Sequence, residues 1–152
     1  MLATELLTND HNEALSLIDE LKDRHNNERG NRDIFRDLDM ALRMHMRVEE
    51  EIFYPELEKD VEFKGLMAES VPEHNEARQI LDDMEALNNP ASDEFQKLLA
   101  ELRFALSQHA EKEEADIFPR ALASLGPDRI DELGNRIDQM KGEAGMTRTA
   151  NL

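Results

Sequence analysis

Cysteine and tryptophan are absent from the 152 residues, and aromatic side chains make up only 5% of them. Without thiols there can be no disulfide, thiolate zinc site, iron–sulfur cluster or cysteine nucleophile, so any metal must be held by histidine and carboxylate ligands. Strand formers are also scarce, with 3 Val, 7 Ile and 4 Thr against 20 Leu and 15 Ala, a supply that favours helices throughout. Positive charge is in short supply: 18 Lys and Arg face 35 Asp and Glu, a net charge of −17. Such a chain repels phosphate backbones and anionic headgroups, so nucleic acid and membrane surfaces are not expected partners, whereas cations are. No segment approaches the ~20 consecutive apolar residues of a membrane span. The N-terminal residues Met1 to Asp10 lack the basic start and apolar run of an export signal, which makes the cytoplasm the expected location.

Gly30, Pro55, Gly65, Pro72, Pro90, Pro119, Gly126 and Pro127 punctuate the chain into four long segments and one short one. The expectation is all-α: an up-down-up-down four-helix bundle with a short extra C-terminal helix, forming one domain over residues 1–141, followed by a flexible tail over 142–152. The first segment, about 4–26, carries the stripe Leu7, His11, Ala14, Ile18 and Leu21. In the second, about 33–58, Ile34, Leu38, Leu42, Val48 and Ile52 are interrupted by His45 and Glu49. The third presents His74, Ala77, Leu81, Met84 and Leu87, and the fourth Phe95, Leu99, Leu102 and Leu106 followed by His109 and Glu113. Each long helix thus points a histidine inward. Ile130, Leu133, Ile137 and Met140 give the last segment an apolar face to lay across the bundle.

The chain repeats itself. Asp10-His11-Asn12-Glu13-Ala14 is answered 63 residues later by Glu73-His74-Asn75-Glu76-Ala77, and His45-x-x-x-Glu49 is answered 64 residues later by His109-x-x-x-Glu113. Each half closes with an aromatic-Pro step ten residues after its histidine, Ile52-Phe53-Tyr54-Pro55 and Ile117-Phe118-Pro119. Residues four apart share a helix face, so each His-x-x-x-Glu pair offers imidazole and carboxylate side by side. At about 1.5 Å per residue, His11 and Glu49 fall at the same end of an up-down bundle. His74 reaches that level if the third helix starts near Leu66 and passes through Pro72, rather than starting at Pro72. His25, about 21 Å further along the first helix than His11, reads as a C-terminal cap and not a ligand. A single inward histidine is ordinarily a hydrogen-bonded core residue. Burying two carboxylates and four imidazoles together without a cation would cost several kcal/mol per unpaired charge, so the set points to a metal site.

The ordered set His11, His45-x-x-x-Glu49, His74, His109-x-x-x-Glu113, with its aromatic-Pro closures, resembles the hemerythrin-like, or HHE cation-binding, family over nearly all of residues 1–125. The resemblance is to its shorter-ligand bacterial branch. It implies a non-haem di-iron centre in which Glu49 and Glu113 bridge two Fe ions, with His11 and His45 on one ion and His74 and His109 on the other. Two ferrous ions and two carboxylates leave net positive charge, so an oxo or hydroxo bridge is expected. Imidazole and carboxylate suit iron or manganese, which unlike zinc can change oxidation state. Oxygen-carrying members have a further histidine four residues after the third-helix ligand, where this chain has Arg78. One ligand fewer leaves open positions on the metals, which favours turnover of small oxidants over quiet carriage of O2.

The resemblance therefore implies a protein that binds O2-derived small molecules, hydrogen peroxide decomposition ranking first and a catalase- or peroxidase-like oxidoreductase being the enzyme reading. The alternatives are an O2 or nitric oxide binder or sensor without turnover, and an iron store or delivery protein. Three positions stay open. The oxygen carriers place the fourth-helix carboxylate at the position of Glu114, whereas the internal repeat selects Glu113. Tyr54 lies five residues after Glu49, about 140° away on an ideal helix; it is a packing aromatic unless distortion before Pro55 brings its phenol to the metal edge. Arg78 is either a surface or carboxylate-pairing residue or a guide for anionic oxidants.

Overall fold

The computed structural model describes residues 1–23 and 30–146, and among these every regular element is helical. Helix α1 (Ala3–Leu21) is followed by α2 (Asn31–Val48), which runs through a π-helical turn (Glu49–Phe53) into α3 (Tyr54–Leu57). A 3-10 turn (Val61–Phe63) leads to α4 (Leu66–Leu87) and then α5 (Asp93–Lys112). A second π turn (Glu113–Ile117) continues α5 into α6 (Phe118–Leu125), and α7 (Pro127–Glu143) ends the described chain. His25 and the residues from 147 onward lie outside the described residues, so the expected cap and most of the expected tail do too. The extra C-terminal helix is not short. It spans 17 residues against 19 for α1, and it takes in Gly142 and Glu143, which the sequence reading assigned to the tail.

Local chemistry accounts for the boundaries. Gly65, at φ 90°, supplies the left-handed residue from which α4 departs, a conformation that costs glycine no Cβ clash. Helix α4 then runs through Pro72, as the level of His74 requires. The Ser92 side chain accepts a hydrogen bond from the Phe95 N–H at 3.1 Å, and Asp93 and Glu94 follow in the first turn of α5, where acids complement the helix dipole.

Helix α1 packs on α2, α5 and α7, while α4 packs on α5 and touches α2. The apolar side chains form two separate clusters. One gathers Ala14, Ile18, Leu21, Ile34, Leu38, Leu81, Met84, Phe95, Leu99 and Leu102. The other gathers Leu6, Leu7, Val48, Phe53, Tyr54, Leu57, Phe118, Ala121, Ile130, Leu133 and Ile137. Along α1 the division falls at His11, between Leu7 and Ala14, and along α2 it falls around His45, between Leu42 and Val48. A polar layer therefore lies between two dry ones.

Helix α7 belongs to the second cluster through Ile130, Leu133 and Ile137, each fully buried. Gly134 lets it approach the start of the chain: a Cβ there would overlap the Met1 carbonyl oxygen and come within 3.0 Å of the Ala3 nitrogen. The Met1 amino group adds an ion pair to Asp131 at 3.2 Å. Replacing a mid-helix glycine by alanine ordinarily stabilises by up to ~1 kcal/mol. Here the sign should reverse, and Gly134→Ala is expected to cost ~1–3 kcal/mol through backbone overlap, read as a lower denaturant midpoint. A stabilised variant would show that α7 does not seat on the N-terminus.

Candidate metal centre

Four histidines from four helices meet in the polar layer: His11 of α1, His45 of α2, His74 of α4 and His109 of α5, each at most 8% exposed, around Glu49 and Glu113 at 0%. Their Nε2 atoms face the two carboxylates. Glu49 Oε1 lies 3.2 Å from His45 Nε2, 3.1 Å from His74 Nε2 and 3.3 Å from His109 Nε2. Glu113 Oε1 lies 3.0 Å from His11 Nε2 and 3.1 Å from His109 Nε2, with His45 Nε2 at 3.9 Å. All six candidate side chains are thus together at one level.

Ligand atoms of His11, His45, His109 and Glu113 fall within 4.8 Å of one another, and so do those of Glu49, His74 and His109. The ring centroids pair His11 with His45 at 4.8 Å and His74 with His109 at 5.1 Å. His109 nevertheless shares in both groups of donors.

The outer ring nitrogens are held from behind. His11 Nδ1 pairs with Glu114 Oε2 at 2.8 Å, His74 Nδ1 with Glu50 Oε2 at 2.6 Å, and His45 Nδ1 with Asp10 Oδ2 at 2.9 Å. Glu114 therefore stands behind His11 while Glu113 faces the interior, consistent with the internal repeat. Arg78 pairs with Glu50 at 2.9 Å and with Asn75 at 2.9 Å; it is the carboxylate-pairing residue of the two readings and does not enter the cluster. Carboxylates that accept from a histidine's second nitrogen fix its tautomer and raise its basicity toward a metal.

Several buried atoms have no hydrogen-bond partner, among them His45 Nε2, Glu49 Oε2 and His109 Nδ1. His45 Nε2 lies inside the cluster, 3.2 Å from Glu49 Oε1, and a buried polar atom without a hydrogen bond is costly. Two donors bound about 2.1 Å from one ion at right angles lie about 3.0 Å apart, close to the Nε2 to Oε1 separations. The donor set and its unsatisfied atoms thus fit a metal. Without one, protons must balance the acids. Burial opposes the charge on His45, but the Glu49 charge and the Asp10 hydrogen bond hold its pKa well above the usual imidazole range. His109, also against its burial, is pushed up to about 10 by Glu113 and Glu49. Burial likewise works to neutralise Glu49, yet His45, Glu113 and His109 hold it well below the usual carboxylate range.

The two π turns begin at the two acids. In each, the backbone bond spans five residues: the Tyr54 N–H donates to the Glu49 carbonyl and the Phe118 N–H to the Glu113 carbonyl. The added residue puts Tyr54 over Glu49, where an ideal helix would have turned it away. Its phenol donates to Glu113 Oε2 at 2.7 Å and lies 3.5 Å from His109 Nε2. Burial first, and then the Glu49 and Glu113 charges, raise its pKa far above that of free tyrosine, so it remains a proton donor. Of the two readings of Tyr54, the distortion before Pro55 is the one found, and the phenol reaches the inner acids. In the other half Phe118 stacks on His11, with centroids 6.1 Å apart.

A cavity of about 160 Å³ opens onto His45, His74 and His109 between α2, α4 and α5. Leu42, Met46, Ala77 and Leu102 give it apolar walls, and Glu73 and Glu76 contribute acids.

Sequence reasoning reached the six inner residues but missed the partners behind them, Asp10, Glu50 and Lys141. A signal existed for two of these. An acid precedes His11 and His74 in the repeat, and an acid follows Glu49 and Glu113, but nothing local says which of these neighbours turns toward a ring.

Searches among curated proteins and among solved structures return no match to the chain. The family model for the hemerythrin HHE cation binding domain matches residues 2–121, an interval that contains the four inner histidines, both inner acids and both π turns. With a buried His and Glu cluster arranged around unsatisfied donors, the chain belongs to the hemerythrin HHE cation-binding family.

Proposed function

We propose that the centre holds two iron ions bridged by Glu49 and Glu113, with His11 and His45 on one ion and His74 and His109 on the other, and that the protein decomposes hydrogen peroxide. The reading takes residues 1–141 as one domain with its four ligand-bearing helices in up-down-up-down order. The observation that carries it is the convergence of four buried imidazole Nε2 atoms on two buried carboxylate oxygens at 3.0–3.3 Å. A pair of irons supplies the two-electron exchange by which one peroxide is reduced to water and another oxidised to O2.

The chain's own contribution is access, orientation and proton control. The cavity presents apolar walls beside Glu73 and Glu76, so a small neutral molecule enters more readily than an anion. Arg78, held by Glu50 and Asn75, supplies no imidazole where oxygen carriers have one, leaving a ligand position to the incoming molecule. Tyr54, kept protonated and donating to Glu113, orients that carboxylate and places a hydroxyl near the reacting region. Glu114, Asp10 and Glu50 hold three of the rings in a fixed tautomer.

Anaerobically purified protein should contain about two irons per chain, as the ligand count allows. It should release O2 from added peroxide, and chelation should abolish this until iron, but not zinc, is restored. Iron-loaded protein inert toward peroxide would overturn the proposed turnover. One observation favours reversible O2 or nitric oxide binding instead, namely the apolar walls of Leu42, Met46 and Leu102, which suit an uncharged gas. A stable absorption spectrum reversed by degassing, with no O2 release from peroxide, would select that reading.

A further inference from the structure

Helix α7 lies beyond the family-matched residues 2–121, yet it reaches the centre. Lys141 Nζ lies 2.6 Å from Asp10 Oδ1, and the other oxygen of Asp10 lies 2.9 Å from His45 Nδ1. Both side chains are largely buried, Lys141 at 13% exposure and Asp10 at 15%. Lys141 sits one helical turn after Ile137 on the same face, and Ile137 is fully buried in the cluster that seats α7.

The second half of the repeat has no equivalent. Glu73, the counterpart of Asp10, pairs instead with Lys112 of α5 at 2.8 Å, and His109 Nδ1 has no hydrogen-bond partner. The chain from Lys141 through Asp10 to His45 therefore makes the two sides of the centre unequal, and the partner that does so comes from a helix carrying none of the inner residues.

Resting on the metal-centre reading above, we propose that Lys141 is a positioning residue that locks Asp10 against His45, so that docking of α7 and metal retention at the His45 side are thermodynamically coupled. The ammonium occupies one carboxylate oxygen and holds the other against His45 Nδ1, which keeps Nε2 aimed at Glu49. By linkage the effect runs both ways: a metal that holds His45 in place holds Asp10, and through it Lys141 and α7.

The test compares wild type with Lys141→Met, which keeps the apolar stem and removes the charge, and with Lys141→Arg, which restores the charge. Lys59→Met, at a surface lysine paired with Glu56 at 3.0 Å, controls for net charge. Each protein is loaded anaerobically with ferrous iron and challenged with excess chelator. Lys141→Met should release iron faster by about tenfold or more, within the range set by loss of partners behind a ligand, while Lys141→Arg and Lys59→Met stay near wild type. Amide hydrogen exchange over residues 127–143 supplies a second readout. Wild-type α7 should be better protected with iron than without it, and Lys141→Met should lose that difference.

Iron release from Lys141→Met at the wild-type rate, or wild-type α7 exchange indifferent to iron, would overturn the coupling while leaving the metal centre intact. Wild-type protein unable to retain iron at all would overturn both. Should Lys141→Met fail to fold, the exchange measurement on wild type alone decides.

Discussion

His45→Ala is expected to leave the purified protein nearly free of iron and without peroxide turnover, the two losses appearing together. The ring's Nε2 lies 3.2 Å from Glu49 Oε1, and its Nδ1 is held by Asp10. Removing it deletes an inner donor and takes from the buried Glu49 one of the three imidazoles that face it. Loss of a residue merely behind a ligand weakens metal sites by 10–100-fold, so loss of an inner donor should exceed about 100-fold. Metal analysis and O2 evolution on the same preparation check this. Turnover persisting in iron-free His45→Ala would detach the activity from the centre.

The second large effect concerns the metal itself. A ligand that binds only the folded chain, present at about a thousandfold its dissociation constant, adds about 4 kcal/mol of stability, on the order of 10 °C in melting temperature for a domain of this length. Chelation should lower the melting temperature by at least that amount. In the metal-free chain the raised pKa values of His45 and His109 supply the compensating charge. Their contribution to stability is fully present below the ordinary value of 6.5 and is lost as pH rises through their folded values, about 10 for His109. The stability gap between loaded and metal-free protein should therefore widen from pH 7 to pH 9. Metal displaces the same protons, so calorimetric titration at pH 7 in buffers of different ionisation enthalpy should register proton release. Proton uptake, or a gap that narrows toward alkaline pH, would contradict this electrostatic account.

The inner six residues were legible because helical spacing and an internal repeat fix them with no knowledge of side-chain direction beyond the 3.6-residue period. His74 was legible once Pro72 was allowed inside a helix. Tyr54 stayed open between two readings because an ideal period cannot show that the period itself changes at Glu49. The same change explains the segments that follow. In an unbroken helix Glu56 and Arg120, each seven residues past an inner acid, would point into the core. The added residue gives those places to Leu57 and Ala121, both fully buried, and leaves Glu56 to pair with Arg129 and Arg120 with Glu62. Pairing of Asp10 with His45 was not legible because it joins separate helices, and Lys141 lies 131 residues from Asp10 in the chain.

The division of the apolar residues into two clusters bears on how the molecule comes apart. Contacts within either cluster cannot by themselves make the other melt, so cooperativity must pass through the plane of imidazoles and acids that separates them, or along the helices that cross it. A metal in that plane acts as a rivet between two halves that are each dry inside. Its loss would let the end built around Phe95 and the end built around Phe53 respond to heat on separate schedules, turning one transition into two.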